Sequence, residues 1–429
     1  MVKIKFVNHA SYILHLDKIS LITDPWVEGT AFNEGWNLIE STKFNYSDFS
    51  EITHIWFSHE HPDHFSPPNL KSIPLEIRRN ITVLFQKTKD KKVINFCRQL
   101  DFKECIELPS DWFELSQDFK ILNIPHTDGD SWMCVKAGDF TLLNINDCVL
   151  ENDKQIHQIK TIINSKNIDV LFTQFSYANW AGNKEDKGTR KKYAAKKIRE
   201  IERQVSIFQP IYTIPFASFV WFCHEENFYM NDEINKIDFV YNHLSEKLDT
   251  TAIILFPSEQ WDIRSEHDST ESVKKWMSSY DLNIVSEKTI KSSFISPSEL
   301  IELGNNYIKC LIRNNTKWMN LFLKPTNIFI VDYECSYKLS LNGFERGEIN
   351  QENCDISMSS DSLSYCFKFL WGGATTRING RYQVPKYGRF YNWKLYFQTS
   401  ELNNHGERFG LKFIFNSIYR NIRRKIYVR

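Results

Sequence analysis

The chain has 429 residues, 42% of them hydrophobic and 14% aromatic, which is the make-up of an ordered globular protein and excludes collagen-like or disordered classes. Lys plus Arg and Asp plus Glu stand at 53 each, so the whole-molecule field gives no reason to expect a nucleic acid or an anionic membrane as partner. At roughly 150 residues per domain the length allows two to three domains.

The first residues, MVKIKFVNHASYILHLDKISLITDPW, interrupt their apolar runs with charges, unlike a signal peptide. No later stretch reaches the roughly 18 apolar residues of a membrane span, so a cytoplasmic protein is the expectation. The nine cysteines are odd in number and never spaced C-x-x-C, which argues against a disulfide framework or a zinc ribbon. The C-x-H and C-x-x-H pairs of a Rieske centre are absent as well.

In chain order, residues 2–7, 10–16 and 19–23 read as an antiparallel meander broken at Asn8-His9 and Asp17-Lys18. Residues 52–57 form another β-rich run that ends in the histidine cluster, placing those side chains in a loop at a strand's carboxyl end, the usual ligand edge of α/β layers. Further strands are expected at 81–86, 119–124, 132–136, 140–145, 170–175, 211–215 and 252–256. Helices are expected at 89–100, 155–166 and 191–208, where apolar residues recur at helical intervals. Strands alternating with helices after a meander predict an αββα sandwich.

Beyond residue 260 the pattern weakens. A polar connector spans 286–297, and the chain is divided into a metal-binding catalytic domain, 1–265, and an accessory α+β region, 266–429. In the latter, residues 298–312 read as helix, residues 318–323, 328–331 and 390–397 as strands, and Asn416 to Arg429 as a basic amphipathic tail, a solvated helix or a contact for acidic lipid or a partner.

His59, His61, Asp63 and His64 form H-x-H-x-D-H directly after a strand. Alternation puts His59 and His61 on one side of an extended chain, able to converge on one metal ion. Pro62 starts a turn, so that Asp63 and His64 can face a second. Later strand ends are expected to supply His126 as third ligand to the first ion and Asp147 as a bridging or second-site carboxylate. His224 is the expected last histidine, with an ordinary structural role as its alternative. Asp63 and Asp147 are the expected catalytic carboxylates. Asp130 and Glu225 are candidates for orienting ligand imidazoles. His9 and Asp24 are either supports of the same cleft or plain turn residues. His15, His54, His157, His243, His267 and His405 have no ligand-type companions and read as structural.

His59-x-His61-x-Asp63-His64 with His126 and Asp147 downstream resembles the metallo-β-lactamase superfamily. Thr23-Asp24-Pro25-Trp26, Phe32-x-x-Gly35-Trp36, Ser58-His59, Asp147-Cys148 and Pro215-Phe216-Ala217 resemble, in order, the catalytic part of the CMP-N-acetylneuraminate and UDP-N-acetylmuramate hydroxylases. The similarity covers about the first 260 residues. Residues 369–377 resemble those hydroxylases more generally. The resemblance implies an iron-dependent oxygenase acting on the N-acyl group of an amino sugar or nucleotide sugar. Without a Rieske pattern in this chain, electrons would come from a separate Rieske or ferredoxin-type partner.

The donor set binds one or two divalent ions, with iron favoured and zinc the alternative, since imidazole and carboxylate suit both. Zinc would support hydrolysis of a phosphoester, amide or lactone. A third reading is a metal-stabilised scaffold subunit of a redox complex. Substrate-facing candidates are Gln174 and Tyr177 in a mixed polar and aromatic segment, Lys191 in the basic stretch 184–199, and Arg377, which with Arg381 could grip phosphate. Each also has a plain structural reading, as a capped strand end or a solvated helix face.

Overall fold

The computed structural model describes residues 2–164, 167–286 and 288–410, with only the backbone described at Asp128 and Val285. The basic tail expected over Asn416 to Arg429 lies outside the described residues.

Two seven-stranded sheets face each other. The strands in chain order are β1 (Lys3–Asn8), β2 (Ser11–Leu16), β3 (Ile19–Thr23), β4 (Trp36–Leu38), β5 (His54–Trp56), β6 (Thr82–Gln86), β7 (Glu104–Leu108), β8 (Trp112–Ser116), β9 (Phe119–Pro125), β10 (Ser131–Ala137), β11 (Phe140–Asn144), β12 (Val170–Gln174), β13 (Tyr212–Phe216), β14 (Val220–Phe222), β15 (Thr251–Ala252) and β16 (Gln260–Asp262). The first sheet runs β16-β1-β2-β3-β5-β6-β7 and the second β15-β13-β12-β11-β10-β9-β8, while β4 and β14 form a separate ribbon.

β1, β2 and β3 pair antiparallel, then β3, β5, β6 and β7 pair parallel. In the second sheet β8 to β11 are antiparallel and β11, β12, β13 and β15 parallel. Because β1 and β3 are both antiparallel to β2, they run in the same direction. The turn after β1 therefore lies at the same edge as the carboxyl ends of β3 and β5, and β9 shares the direction of β11 for the same reason.

The inner faces bury apolar side chains from both sheets. Tyr12 of β2 stacks on Phe172 of β12 with centroids 4.1 Å apart, and Trp56 Nε1 of β5 donates to Asn123 Oδ1 of β9 at 2.9 Å. Helices cover the outside. The longest, Lys187–Phe208, buries Ala194, Ile198, Ile201, Val205 and Phe208 at three- and four-residue steps, as an amphipathic helix must. The αββα sandwich expected from the sequence is the architecture observed, with an additional C-terminal α+β region.

That region contains β17 (Thr326–Ile330), β18 (Cys335–Ser340), β19 (Gly343–Arg346) and β20 (Ile356–Met358) in the order β19-β18-β17-β20, with helices Pro297–Asn314, Ser360–Lys368, Gly372–Asn379 and Phe390–Asn404. It has a core of its own, running from Leu300 to Phe409. Helix Ser269–Tyr280, by contrast, sends Trp276 and Tyr280 into the sandwich core, where Trp276 stacks on Phe219 at 3.9 Å. Ile290 still packs on that core and Ile295 on the second, so we propose a unit boundary between them instead of at 265.

Two expected strands are helical. The span 390–397 belongs to helix Phe390–Asn404, in which Trp393, Tyr396, Phe397 and Ser400 are buried on one face. Aromatic content suggested a strand, but the spacing of the large side chains is helical and packing decides. Likewise the span 318–323 contains a single turn, Met319–Phe322, with Met319 and Leu323 buried four residues apart. The strand expected at 252–256 shortens to Thr251–Ala252.

Candidate metal centre

The side chains of the cleft come from strand ends at one edge of the sandwich. His9 lies in the turn between β1 and β2, Asp24 directly follows β3, Ser58 to His64 lie just beyond β5, Asp147 follows β11, and Gln174 ends β12. These residues need no long-range adjustment to meet, because the parallel register already delivers them to the same edge.

Asp24 is the anchor. It is wholly buried, and its Oδ1 accepts from Ser58 N at 2.7 Å while Oδ2 accepts from Ser58 Oγ at 2.7 Å, His64 Nδ1 at 2.9 Å and Asn146 Nδ2 at 3.1 Å. The Ser58 hydroxyl proton is thus committed to Asp24, so at the 2.9 Å contact between Ser58 Oγ and His59 Nδ1 the imidazole is the donor. The same logic places a proton on His64 Nδ1. Both rings are left with Nε2 lone pairs directed into the cleft, the orientation that a buried partner imposes on a ligating histidine.

His59 Nε2 meets His61 Nδ1 at 2.8 Å and lies 3.9 Å from Asp147 Oδ2 and 3.8 Å from Asp130 Oδ1. His64 Nε2 lies 3.3 Å from Asp63 Oδ2 and 3.4 Å from Asp147 Oδ2. His9 Nε2 approaches Asp63 Oδ2 at 3.3 Å. Two groups result, each with ligand atoms within 4.8 Å of one another: His59, His61 and Asp147, and His9, Asp63 and His64. Asp147 touches both.

His59 Nε2 can accept from a protonated His61 Nδ1 at 2.8 Å, but the Asp63 and Asp147 oxygens that face His64 Nε2 require a positive charge, a proton or a metal cation, between them and the ring. Asp63 Oδ1 and His64 Nε2 are buried without a hydrogen-bond partner, an expensive arrangement for groups with no ion to serve. The donor set therefore fits one or two divalent cations. The electrostatics agree. Burial disfavours a charge on His64, yet Asp63, Asp147 and Asp24 around it hold its pKa well above the usual value, so the cluster attracts positive charge. Burial raises the Asp147 carboxyl, but His64 and His59 bring it down to about 2. His59 is pushed well below its usual value by burial and by its two histidine neighbours, so it stays a neutral ligand.

Not every expected residue joins the cluster. His126 is at the correct edge, but its Nε2 contacts the Val149 carbonyl at 3.1 Å and it belongs to neither group. Its chain neighbour Asp130 is the residue that reaches His59. His224 is buried elsewhere. Its Nδ1 accepts from Glu226 N at 3.2 Å, and its charged surroundings are Arg381, Asp361, Glu225 and Lys291. Glu225 pairs with Lys291 at 2.8 Å, and its backbone N donates to the Ile290 carbonyl, away from the cluster.

Of the substrate candidates, Gln174 points inward and donates from Nε2 to Asp147 Oδ1 at 2.6 Å. Tyr177 is buried with its hydroxyl donating to the Met230 carbonyl at 2.6 Å. Lys191 is on the exposed face of its helix, and Arg377 pairs with Glu401 at 3.3 Å. Arg381 is wholly buried between Glu226 and Asp361 and cannot reach a phosphate from solvent. Sequence reasoning missed Ser58 and Asn146 as supports of Asp24, and Lys197, whose Nζ donates to Gln174 Oε1 at 2.8 Å. Only the position of Ser58 and Asn146 beside strand-end ligands could have flagged them.

Residues 3–173 match the profile described as the β-lactamase superfamily domain. Among curated relatives, a cytidine monophosphate-N-acetylneuraminic acid hydroxylase of Asterias rubens is 21% identical over 259 residues, covering 55% of this chain and 37% of that protein. A protein of Mycobacterium tuberculosis named as a Rieske 2Fe-2S iron-sulfur protein is 24% identical over 243 residues, covering 53% and 46%. The chain thus spans less than half the length of these relatives.

Among solved structures, CmlA, a diiron β-hydroxylase from Streptomyces venezuelae, superposes with a TM-score of 0.44 at 15% identity over 61% of this chain and 54% of that one. A Veillonella parvula protein described as a possible metal-dependent hydrolase gives 0.46 at 14% identity over 61% and 99%. No helix among the described residues is long and apolar enough to cross a membrane.

Proposed function

We propose that the domain is an iron-dependent oxygenase with a two-ion centre, hydroxylating an N-acylated amino sugar or nucleotide sugar with electrons from a separate Rieske or ferredoxin-type partner. The observation that carries the metal assignment is the pair of Nε2 lone pairs of His59 and His64, fixed by Asp24 and Ser58 and aimed among Asp63, Asp147 and Asp130.

In this reading His59, His61 and Asp147 hold one ion and Asp63, His64 and Asp147 the second. Bound iron supplies the activation of dioxygen. The chain's own residues fix the ligand geometry, neutralise the cations with carboxylates and exclude bulk water. Asp24 and Ser58 hold the ring orientations, and Gln174 holds the outer oxygen of Asp147. The curated relatives named as hydroxylases support oxygenation and an N-acylneuraminate-like substrate, and the one named as a Rieske protein supports an iron-sulfur electron donor.

Hydrolysis uses the same ligands with zinc, so metal identity separates the two chemistries. Protein purified anaerobically without added metal should contain iron whose absorption and paramagnetic spectra change with oxygen and reductant. Zinc alone, with no iron, would overturn the oxygenase reading in favour of a hydrolase.

A further inference from the structure

His9 is not part of the H-x-H-x-D-H motif, and the position its ring occupies was expected for a histidine far downstream. Its backbone is in the left-handed region at φ +42°, which residues other than glycine adopt at a cost and which clusters at functional sites. The conformation is pinned from both sides. His9 N donates to Asn8 Oδ1 at 2.9 Å, and its carbonyl accepts from Ala217 N at 2.8 Å, Ala217 itself having φ +50°. The ring is 2% exposed, edge-on to Trp26 and His64 with centroids 5.9 and 5.8 Å away.

Nε2 lies 3.3 Å from Asp63 Oδ2, and Nδ1 has no hydrogen-bond partner. A histidine kept only for packing would gain nothing from a strained backbone, a bare buried nitrogen and a carboxylate neighbour that itself leaves Oδ1 unpaired. The strained backbone, which aims Nε2 at the cluster, and the unpaired Asp63 oxygen are accounted for if Nε2 is a metal ligand. His224, the expected last histidine, is committed to the neighbourhood of Arg381 and leaves this side of the second ion to another donor.

We infer that His9 is a direct ligand of the second ion, completing the set of Asp63, His64 and Asp147. The opening hairpin then takes the part that a late strand end was expected to play. The inference rests on the two-ion reading above and goes beyond it in naming a ligand outside the motif.

Metal stoichiometry by elemental analysis, together with titration of metal-stripped protein with cobalt(II) followed by its visible spectrum, tests it without any assay of activity. The wild type should take two ions. His9→Gln, which can keep the hydrogen bond to Asp63 but ligates poorly, should hold only one, and His9→Cys should recover the second with the new charge-transfer absorption of a thiolate ligand. Two ions held by His9→Gln with unchanged affinity and spectrum would overturn the inference while leaving the two-ion centre intact. No ion in the wild type would overturn the centre itself. Should His9→Gln fail to fold, His9→Cys alone decides, because a folded Cys variant with two ions and no thiolate band would exclude position 9 from the ligand set.

Discussion

Gln174 donates from Nε2 to Asp147 Oδ1 at 2.6 Å, and its own Oε1 accepts from Lys197 Nζ at 2.8 Å. The ammonium group, itself 3.3 Å from Glu200, determines which end of the amide faces the cluster: the oxygen must turn to Lys197 and the nitrogen to Asp147. Asp147 is thereby held with Oδ2 towards His59 and His64. Partners that orient ligands typically contribute 10- to 100-fold in metal affinity. Gln174→Leu should therefore weaken metal binding by about 10- to 100-fold, measured by competition with a chelator. Lys197→Met should produce a smaller loss that Lys197→Arg recovers. Unchanged affinity in Gln174→Leu would reduce the contact to ordinary packing.

Asp24 acts on both imidazoles at once, so its loss should not be confined to one ion. In Asp24→Ala, His64 loses its acceptor and the Ser58 hydroxyl is released to rotate, which frees the tautomer of His59 as well. We expect affinity for both ions to fall, each by about 10- to 100-fold. Loss of one ion with the other retained at full affinity would show that Ser58 orients His59 without help from Asp24.

How far the sequence foretold this centre depended on whether neighbours in space were neighbours along the chain. His59, His61, Asp63 and His64 are six residues end to end; alternation grouped the first two, and the turn expected at Pro62 grouped the last two. Asp147 was legible as the acidic residue at the end of a β-rich run. His9, Asp24 and Asp130 were named only as supports or turn residues, because nothing local says that β1, β3 and β5 share a direction and so deliver their ends to one edge. His224 misled because a histidine among acidic residues looks the same whether it faces an ion or, as here, a buried arginine from a different unit. Within the C-terminal region the error was one of period: aromatic residues suit strands, but Trp393, Tyr396, Phe397 and Ser400 follow a helical step.

The buried histidines outside the cluster make stability depend on pH. His224 is held at about 4, chiefly by burial and then by Arg381, and His54 at about 4 by burial and Lys103. In the unfolded chain both return to about 6.5. Between those values the unfolded state binds more protons than the folded one, so stability rises with pH across the window from 4 to 6.5 and is lost as pH falls through it. The urea midpoint should drop between pH 6.5 and 4. His224→Gln should flatten that dependence relative to the wild type. An identical slope in the variant would show that His224 is protonated as easily as in water.

The C-terminal region is tied to the sandwich by a charge that water cannot reach. Arg381 is wholly buried, donating from Nε to Glu226 Oε2 at 2.6 Å and from Nη1 to the Asn33 carbonyl at 3.1 Å, and pairing through Nη2 with Asp361. Asn33 precedes β4 and Glu226 follows β14, while Asp361 is in the first turn of helix Ser360–Lys368, whose Leu363, Cys366 and Phe367 are in the second core, so one guanidinium joins the β4–β14 ribbon to the C-terminal region. Removing a single partner of such a buried network leaves uncompensated charge and typically costs about 3–5 kcal/mol. Arg381→Met should destabilise the protein by that order in denaturant unfolding. Adding Glu226→Gln and Asp361→Asn to it should recover much of the loss, because the penalty comes from the stranded carboxylates more than from the missing attraction. If the triple variant is no more stable than Arg381→Met, the guanidinium contributes by packing between the two units, and a separate second unfolding transition would then be expected as their coupling weakens.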